Sequence, residues 1–424
     1  MSSISNRVQD NRKRDFYKFW LADLTLRLGA RVWILAMPII AIKYLSADSR
    51  QIGYLASATS ICYLIIGLPA GIWIDRWIKR RVMIVSAIVR ALLLATVPLA
   101  WLLGVLNFPF LVVVAFLVGA TSLFYDIAYQ SYLPLLVGAD NVYKANSRIE
   151  TTARAINAVG PVLVGMAMKF LSAPILVIWD ALGYLFFVAM LARVPEAERK
   201  PEFNKFVKFR QELFYGVKFI WNEKLLRVIA LSILLSNFFA TIITTLLPIL
   251  VINYLKLGTV SLGMMITSAE CGGLLGAFAL NFLRNNFGID KILISGLIMA
   301  AFFTSLVPAS IFFSEKWPDI SQIILMISLF GTAIGGVIFS ISQVSIRQML
   351  CPKESLSRVN SSMRFIVWGT MPIASICAGF GAHKFGFMFI LWFAVLGTII
   401  TVMPILTISR FLRSYYSAQG VSHA

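Results

Sequence analysis

Long apolar runs alternate with short charged segments along the whole chain, and this alternation limits the possible folds most. Twelve runs of roughly 20 residues are present, and about 20 apolar residues in a helix cross a bilayer core. They lie near residues 19–44, 52–74, 82–104, 109–131, 151–172, 174–193, 228–252, 260–283, 290–313, 320–343, 362–382 and 386–408. Charged residues make up only 13% of the chain. The sequence predicts an all-α membrane protein with twelve transmembrane helices; because the runs are continuous, they exclude a β-barrel.

The longest polar break, residues 194–227, divides the predicted spans six and six. We therefore expect an N-terminal six-helix bundle over 1–193, a cytoplasmic linker over 194–227 and a C-terminal six-helix bundle over 228–424. Within the linker, the stretch FRQELFYGVKFIWNEK is typical of an amphipathic helix that lies on the membrane surface.

Lysine and arginine are distributed unequally between the two sides of the predicted membrane. The segments on the side of the N-terminus contain 28 of them, and the opposite segments contain six. Because positive charge is retained on the cytoplasmic side, both termini are expected to be cytoplasmic, in a bacterial inner membrane. The net charge of +19 is thereby explained by topology, and a nucleic-acid partner is rejected.

The two halves of the chain resemble each other. With a shift of 214 residues, SYLPLLVGADNVYKANS (131–147) aligns with SIRQMLCPKESLSRVNS (345–361), and each stretch follows the fourth span of its half. This repeat predicts two pseudo-symmetric bundles, and a binding site between such bundles lies near the middle of the membrane.

A short loop after the second span contains the most specific motif, GIWIDRWIKRR (71–81). It resembles the loop signature of the major facilitator superfamily: a glycine, three intervening residues, an aspartate, and then cations. The matching residues are Gly71, Asp75, Arg76, Lys79 and Arg80. In that family the acid caps a helix and the cations pair with nearby acids, so the resemblance implies a gate; the motif's usual second glycine is replaced here by Ile78.

Further stretches resemble the bacterial branch that contains macrolide-efflux and siderophore-export permeases. They are FYDIAYQSYLPLLV (124–137), ANSRIETTARAINAVGPVLVG (145–165) and RVNSSMRFIVWGTMP (358–372). Gly160, Pro161 and Gly165 resemble in part the fifth-span motif of exporters. Span four lacks the arginine that drug–proton antiporters commonly have there, which departs from their pattern.

Ionisable residues within spans are the candidates for transport, because each is costly to insert. Asp23, Arg27 and Arg31 are four residues apart and share one face of span one. This set is either a self-paired structural cluster or a cationic face that attracts an anionic substrate. Glu270 lies near the middle of span eight. It either binds the coupling proton or contacts the substrate, or it forms a structural pair with Arg27 or Arg31.

The remaining polar candidates lie in spans three, four, six and eleven. Asp126 is expected to pair with Lys79 or Arg80 in the gate, with proton coupling as the alternative. Arg90 could partner any of these acids, and Trp368 could line an apolar pocket. We interpret Asp180 as structural.

The sequence contains no phosphate-binding GxxxxGK[ST] loop, no spacing typical of a metal site and no nucleophile–base set. We therefore expect a monomeric secondary transporter that is not an enzyme and has no cofactor. Its partners would be a small molecule, protons and the lipid bilayer. The resemblance favours export of a drug-like compound or a siderophore by proton antiport, as in multidrug resistance. The alternatives are a proton-coupled importer on the same fold and a transporter-like receptor or enzyme that moves nothing.

Overall fold

The computed structural model describes residues 2–138, 141–195, 218–351 and 353–407, and every regular element within these ranges is a helix. A helix satisfies each backbone N–H and C=O within its own segment, which a lipid environment requires. The predicted all-α membrane fold is confirmed.

The first half of the chain forms seven helices. A break at Ile66 divides the second predicted span into α2 and α3. The helices are α1 (Ser2–Ile39), α2 (Ser49–Ile65), α3 (Gly67–Asp75), α4 (Lys79–Leu102), α5 (Phe108–Val137), α6 (Val142–Ala167) and α7 (Ala173–Ala192).

The ends of α5 illustrate how local sequence sets helix boundaries. The Asn107 side chain accepts a hydrogen bond of 2.9 Å from the backbone N–H of Phe110, and proline follows it in the first turn. At the other end, Gly138 has φ +78°, which a residue without a Cβ adopts at little cost. The helix therefore begins and ends where its capping residues stand.

From Lys224 onward, the described chain forms seven α-helices. They are α8 (Lys224–Ile249), α9 (Thr259–Asn286), α10 (Ile289–Thr304), α11 (Leu306–Phe312), α12 (Pro318–Leu350), α13 (Lys353–Phe385) and α14 (Phe387–Ile400). The ninth predicted span comprises α10 and α11, and the twelfth continues from α14 to Thr407.

Each predicted span corresponds to helical structure, and ten helices in the described residues are long and apolar enough to cross a membrane. The two remaining predicted spans are the broken α2–α3 pair and α6. The first turns of α6 are polar, with Lys144, Arg148 and Glu150 within ten residues of its start.

Residue contacts divide the chain into two compact units: 1–47 with 58–204, and 48–57 with 205–424. The division along the chain falls within the predicted linker, whereas the start of α2 groups with the second unit. Residues 209–217 of the predicted amphipathic helix lie outside the described residues; of the remaining residues, 218–222 are helical and Lys224 begins the next helix.

A second internal repeat links the first helix of each half. Both α1 and α8 contain a proline near their C-terminal end, Pro38 and Pro248, and both continue as one π-helical turn, Ile40–Tyr44 and Leu250–Tyr254. The next turn contains a non-glycine residue with positive φ in each case, Ser46 (51°) and Lys256 (53°). These pairs are all 210 residues apart, so the same local chain path occurs twice.

Glycines allow α12 to approach its neighbours closely in the second unit. A Cβ at Gly276 of α9 would lie 2.7 Å from the Ile334 carbonyl oxygen, and one at Gly335 would lie 2.6 Å from the Ala300 backbone nitrogen. These positions have no room for a methyl group, so backbone packing depends on glycine here.

We predict that Gly335→Ala lowers the melting temperature of the purified protein and that Gly336→Ala does not. A Cβ at Gly335 forces α10 and α12 apart, at a cost of roughly 1–3 kcal/mol for overpacking. A Cβ at the adjacent Gly336 has no neighbour within 4 Å among the described residues. The measurement is thermal unfolding in detergent, and equal melting temperatures for the two variants would contradict the packing argument.

Candidate functional site

The ion pair between Asp23 and Arg27 is the centre of a polar cluster in the first unit. Arg27 Nε donates to Asp23 Oδ2 at 2.6 Å, as the spacing of four residues on one helix allows. Asp23 is only 1% exposed, whereas the Arg27 side chain is 32% exposed. The guanidinium also lies 5.9 Å from the centre of the Tyr129 ring. Arg27 therefore connects a buried acid to an accessible surface.

That surface is a cavity of about 510 Å³ between α1, α5 and α6. Its lining combines a guanidinium, a phenol, an amide, a hydroxyl and a carboxylate. The residues are Arg27, Tyr129, Asn146, Ser147, Ile149 and Glu150. Glu150 is paired with Arg154 at 2.7 Å on the same helix. The cavity thus presents hydrogen-bond donors and acceptors of both charges to a polar molecule.

Arg31 contacts α6 through the aliphatic part of its side chain. A Cβ at Gly160 would lie 3.0 Å from Arg31 Cγ, so the glycine leaves space for this chain to pass. Pro161 lies within α6, and Pro161 and Gly165 are both buried. The structure therefore brings the predicted exporter motif against the predicted cationic face of span one.

The motif loop joins α3, which ends at Asp75, to α4, which begins at Lys79. Ile78, at the position of the missing glycine, has φ −70° and ψ 112°, which any residue can adopt. Gly71 has no atom within 4 Å of its Cβ position among the described residues, so no close helix approach requires it here. The Asp75 side chain lies outside the described residues.

The cations of the loop differ in their surroundings. Arg80 donates to the carbonyl oxygens of Leu191 at 3.2 and 3.0 Å and of Ala192 at 2.9 Å. It therefore caps the C-terminal end of α7, where a positive charge is stabilising. Arg76 is exposed and Lys79 is half-buried.

Asp126 lies towards the C-terminal end of α5 and accepts a hydrogen bond of 2.9 Å from the Tyr63 hydroxyl. One turn earlier on α5, the Ser122 hydroxyl accepts a hydrogen bond from Arg90. The Arg90 guanidinium lies 4.7 Å from the centre of the Tyr184 ring. Pairing of Asp126 with Lys79 or Arg80 stays a prediction.

Two of the predicted site residues belong to the second unit. Glu270 is half-buried on α9, and Trp368 is 38% exposed on α13. Their predicted roles, and the pairing of Glu270 with a span-one arginine, stay predictions. No group of three or more histidine, cysteine, aspartate or glutamate side chains that could hold a metal lies in the described part of the chain.

The sequence analysis missed the tyrosines and hydroxyl groups that surround the charges. Tyr63, Tyr129 and Tyr184 each contact a charged side chain. Tyr125 and Tyr129 are also four residues apart on α5, so they lie on one helix face. The signal that could have found them was the concentration of tyrosine beside Asp126.

We predict that Arg27→Gln destabilises the protein and that adding Asp23→Asn restores stability. The single change leaves a buried carboxylate without its partner, at a cost of roughly 3–5 kcal/mol, whereas the double change removes both charges. Thermal unfolding of the four members of this double-mutant cycle measures the coupling. Additive effects of the two changes would show that Asp23 does not depend on Arg27.

Comparisons with known proteins agree with this architecture. The family model described as Major Facilitator Superfamily matches residues 19–371. A bacterial homologue of the iron transporter ferroportin in an inward-facing state has a TM-score of 0.75 at 15% identity, covering 93% of this chain and 98% of that one. The nucleoside transporter NupG has a TM-score of 0.73 at 12% identity, covering 93% of this chain and 98% of that one.

A third similar structure is a bacterial homologue of the human lysosomal transporter Spinster, with a TM-score of 0.70 at 14% identity, covering 95% of this chain and 98% of that one. The comparison with curated protein sequences gave no match. At these identities the structural likeness shows the fold alone, and the family model carries the assignment. The chain therefore belongs to the Major Facilitator Superfamily, whose members carry small molecules across membranes.

Proposed function

We propose that this transporter exports a small organic molecule that bears a carboxylate, in exchange for protons and by alternating access. A siderophore-like metallophore or an acidic drug-like compound has this chemistry. The observation that carries the proposal is the polar cavity of the first unit, with Arg27 at its surface.

Arg27 suits a carboxylate because its side chain is partly exposed and lines the cavity while it is paired with Asp23. Its Nε–H donates to Asp23, and Arg27 is one of the residues that line the cavity. A guanidinium has five N–H donors in a fixed plane and binds carboxylates in a two-point geometry that lysine cannot match. The cavity also contains Asn146 and Ser147, whose amide and hydroxyl could bind other polar groups of the same molecule.

A molecule with both charges is also supported. Glu150 lies in the same cavity as Arg27, and its side chain is 61% exposed although it is paired with Arg154. An ammonium or hydroxyl group on the substrate could bind there. A bare metal ion has no matching donor cluster among the described residues, which favours an organic cargo.

The resemblance of Gly160, Pro161 and Gly165 to an exporter motif supports the direction. Gly160 also contacts Arg31, so this motif lies against a charged helix rather than against lipid alone. Proton exchange is supported by the buried acids of the first unit. The bacterial inner membrane, with both termini in the cytoplasm, is supported by the 28 lysines and arginines on one side against six on the other.

The experiment is an accumulation assay in exporter-deficient bacterial cells with and without the protein. The panel contains macrolides, cationic dyes, and apo and ferric siderophores, and each measurement is repeated with a protonophore. We expect lower accumulation of an acidic compound, with the difference abolished by the protonophore. Higher accumulation of any compound would instead make the protein an importer.

We predict that the double variant Asp23→Asn/Arg27→Gln loses export of that compound by tenfold or more. Loss of a charge-assisted hydrogen bond costs about 1.5–3 kcal/mol, and about 1.4 kcal/mol corresponds to tenfold. Arg148→Gln is the matched control, because Arg148 donates to the Tyr17 hydroxyl at 2.7 Å and does not line the cavity. Full export by the double variant would overturn the assignment of Arg27.

A further inference from the structure

Asp180 is a fully buried acid whose carboxyl group lacks partners. It is the eighth residue of α7, roughly 10 Å from the start of that helix, and it is 0% exposed. Neither carboxyl oxygen makes a hydrogen bond within the described ranges of the chain. An unpartnered buried carboxylate is among the most costly groups a protein can hold, so the position needs an explanation.

Asp180 is packed tightly against α1. A Cβ at Gly29 would lie 2.6 Å from Asp180 Oδ1 and 2.9 Å from its Cα. The acid therefore lies directly against the backbone of α1, where glycine makes space for it. The side chain is packed closely, yet the contact supplies no hydrogen-bond donor to its oxygens.

Arg90 on α4 is the cation that acts electrostatically on Asp180. It makes no ion pair with Asp180 within 4 Å in the described structure. Instead it donates to the Ser122 hydroxyl and lies over the Tyr184 ring. Its Nε also lacks a hydrogen-bond partner there. An acid and a cation are thus buried as neighbours, and each keeps unused hydrogen-bonding capacity.

Two other acids of the bundle, Asp23 and Asp126, have closer partners. On α1, Asp23 is paired with Arg27 at 2.6 Å. On α5, Asp126 accepts a hydrogen bond from Tyr63. The tyrosines of this region are Tyr63 on α2, Tyr125 and Tyr129 on α5, and Tyr184 on α7, one turn after Asp180. The Tyr125 hydroxyl makes no hydrogen bond within the described residues. Arg90 therefore remains as the cation for Asp180.

We propose that Asp180 binds the exchanged proton and that Arg90 forms an ion pair with the Asp180 carboxylate when the proton leaves. We assign to this structure the state in which Asp180 is a neutral carboxylic acid, while Arg90 is held by Ser122 and Tyr184. Loss of the proton to water leaves a carboxylate, and Arg90 moves from the Ser122 hydroxyl to pair with it. One proton is released per cycle, and the charge that it leaves is balanced within the bundle.

This inference rests on the proposed proton-coupled function and replaces Glu270 as the leading candidate for the proton. Asp180 differs from the other acids of the first bundle. Asp23 is engaged by Arg27 at 2.6 Å, so protonating it would break an existing ion pair. Asp180 has no such pair to lose, and Arg90 provides a second, charged state for it within the same bundle.

The first test uses the proton alone as the probe. Infrared difference spectra of the purified full chain in lipid vesicles are recorded over a pH series. We expect a C=O band of a protonated carboxyl group that is absent in Asp180→Asn and present in the control Glu270→Gln. In Arg90→Gln the band should persist to higher pH, since no cation stabilises the carboxylate. A band unchanged in Asp180→Asn would overturn the inference.

Stability provides a second measurement that does not depend on transport. Asparagine has the shape of a protonated aspartate, so we predict that Asp180→Asn keeps or raises the melting temperature. If Asp180 is instead charged and paired, the same change leaves Arg90 uncompensated and lowers the melting temperature by many degrees. A poorly folded Asp180→Asn protein would thus itself contradict the proposal.

The transport test separates this inference from the proposed function. Vesicles are loaded with the compound that the cell panel identifies, and two rates are measured: exchange of labelled for unlabelled compound, and accumulation driven by an imposed pH gradient. We expect Asp180→Asn to keep exchange and lose gradient-driven accumulation by tenfold or more. If the unmodified protein ignores the gradient, the proposed antiport fails. If Asp180→Asn still responds to the gradient, only the role of Asp180 fails.

Discussion

The compensation of buried charge is the constraint on which the first bundle depends. A charge within a membrane-spanning helix is costly unless an opposite charge or hydrogen-bond donors surround it. Asp23 and Arg27 satisfy this requirement on one helix through a spacing of four residues. Asp126 satisfies it across helices through Tyr63. Arg80 does so at a helix end, where two backbone carbonyls of α7 accept its donors. The last two solutions also join neighbouring helices, so there the hydrogen bonds contribute to helix packing as well.

Glycine has the complementary role in both bundles. Where a long polar side chain must pass a neighbouring helix, a glycine makes the space, as Gly160 does for Arg31 and Gly29 does for Asp180. Where two backbones must touch, glycine faces the backbone of the next helix, as at Gly335. Glycine thus makes space for charged side chains at these positions of the first bundle, and allows two backbones to touch at Gly335 in the second. Composition does not show which of these roles a glycine has, because the role depends on the residue that the glycine faces on the neighbouring helix.

Much of the fold was predictable from the sequence, and less of the site was. All twelve apolar runs coincide with helical structure, since hydropathy over 20 residues is a strong signal. The Asp23–Arg27 pair was also predictable, because spacing along one helix fixes proximity. Contacts between helices were not predictable from the sequence. That Arg80 caps α7 and that Asp180 lies against Gly29 both depend on how helices rotate about their axes. The sequence interpretation of Asp180 as structural was made without knowledge of this contact.

The two internal repeats have different offsets, so the two halves of the chain differ in length between them. The π-helical turns after Pro38 and Pro248 are 210 residues apart, whereas the stretches at 131–147 and 345–361 are 214 apart. The second half therefore contains four extra residues between these landmarks. One helical turn is about 3.6 residues, so a helix can absorb four residues and keep its buried face in register. In the fourth span of each half, α12 has 33 residues and α5 has 30, so three more residues are helical in the second half. A length difference of about one turn leaves the buried face of a helix on the same side, so the two halves can differ in helix length and keep the same faces packed.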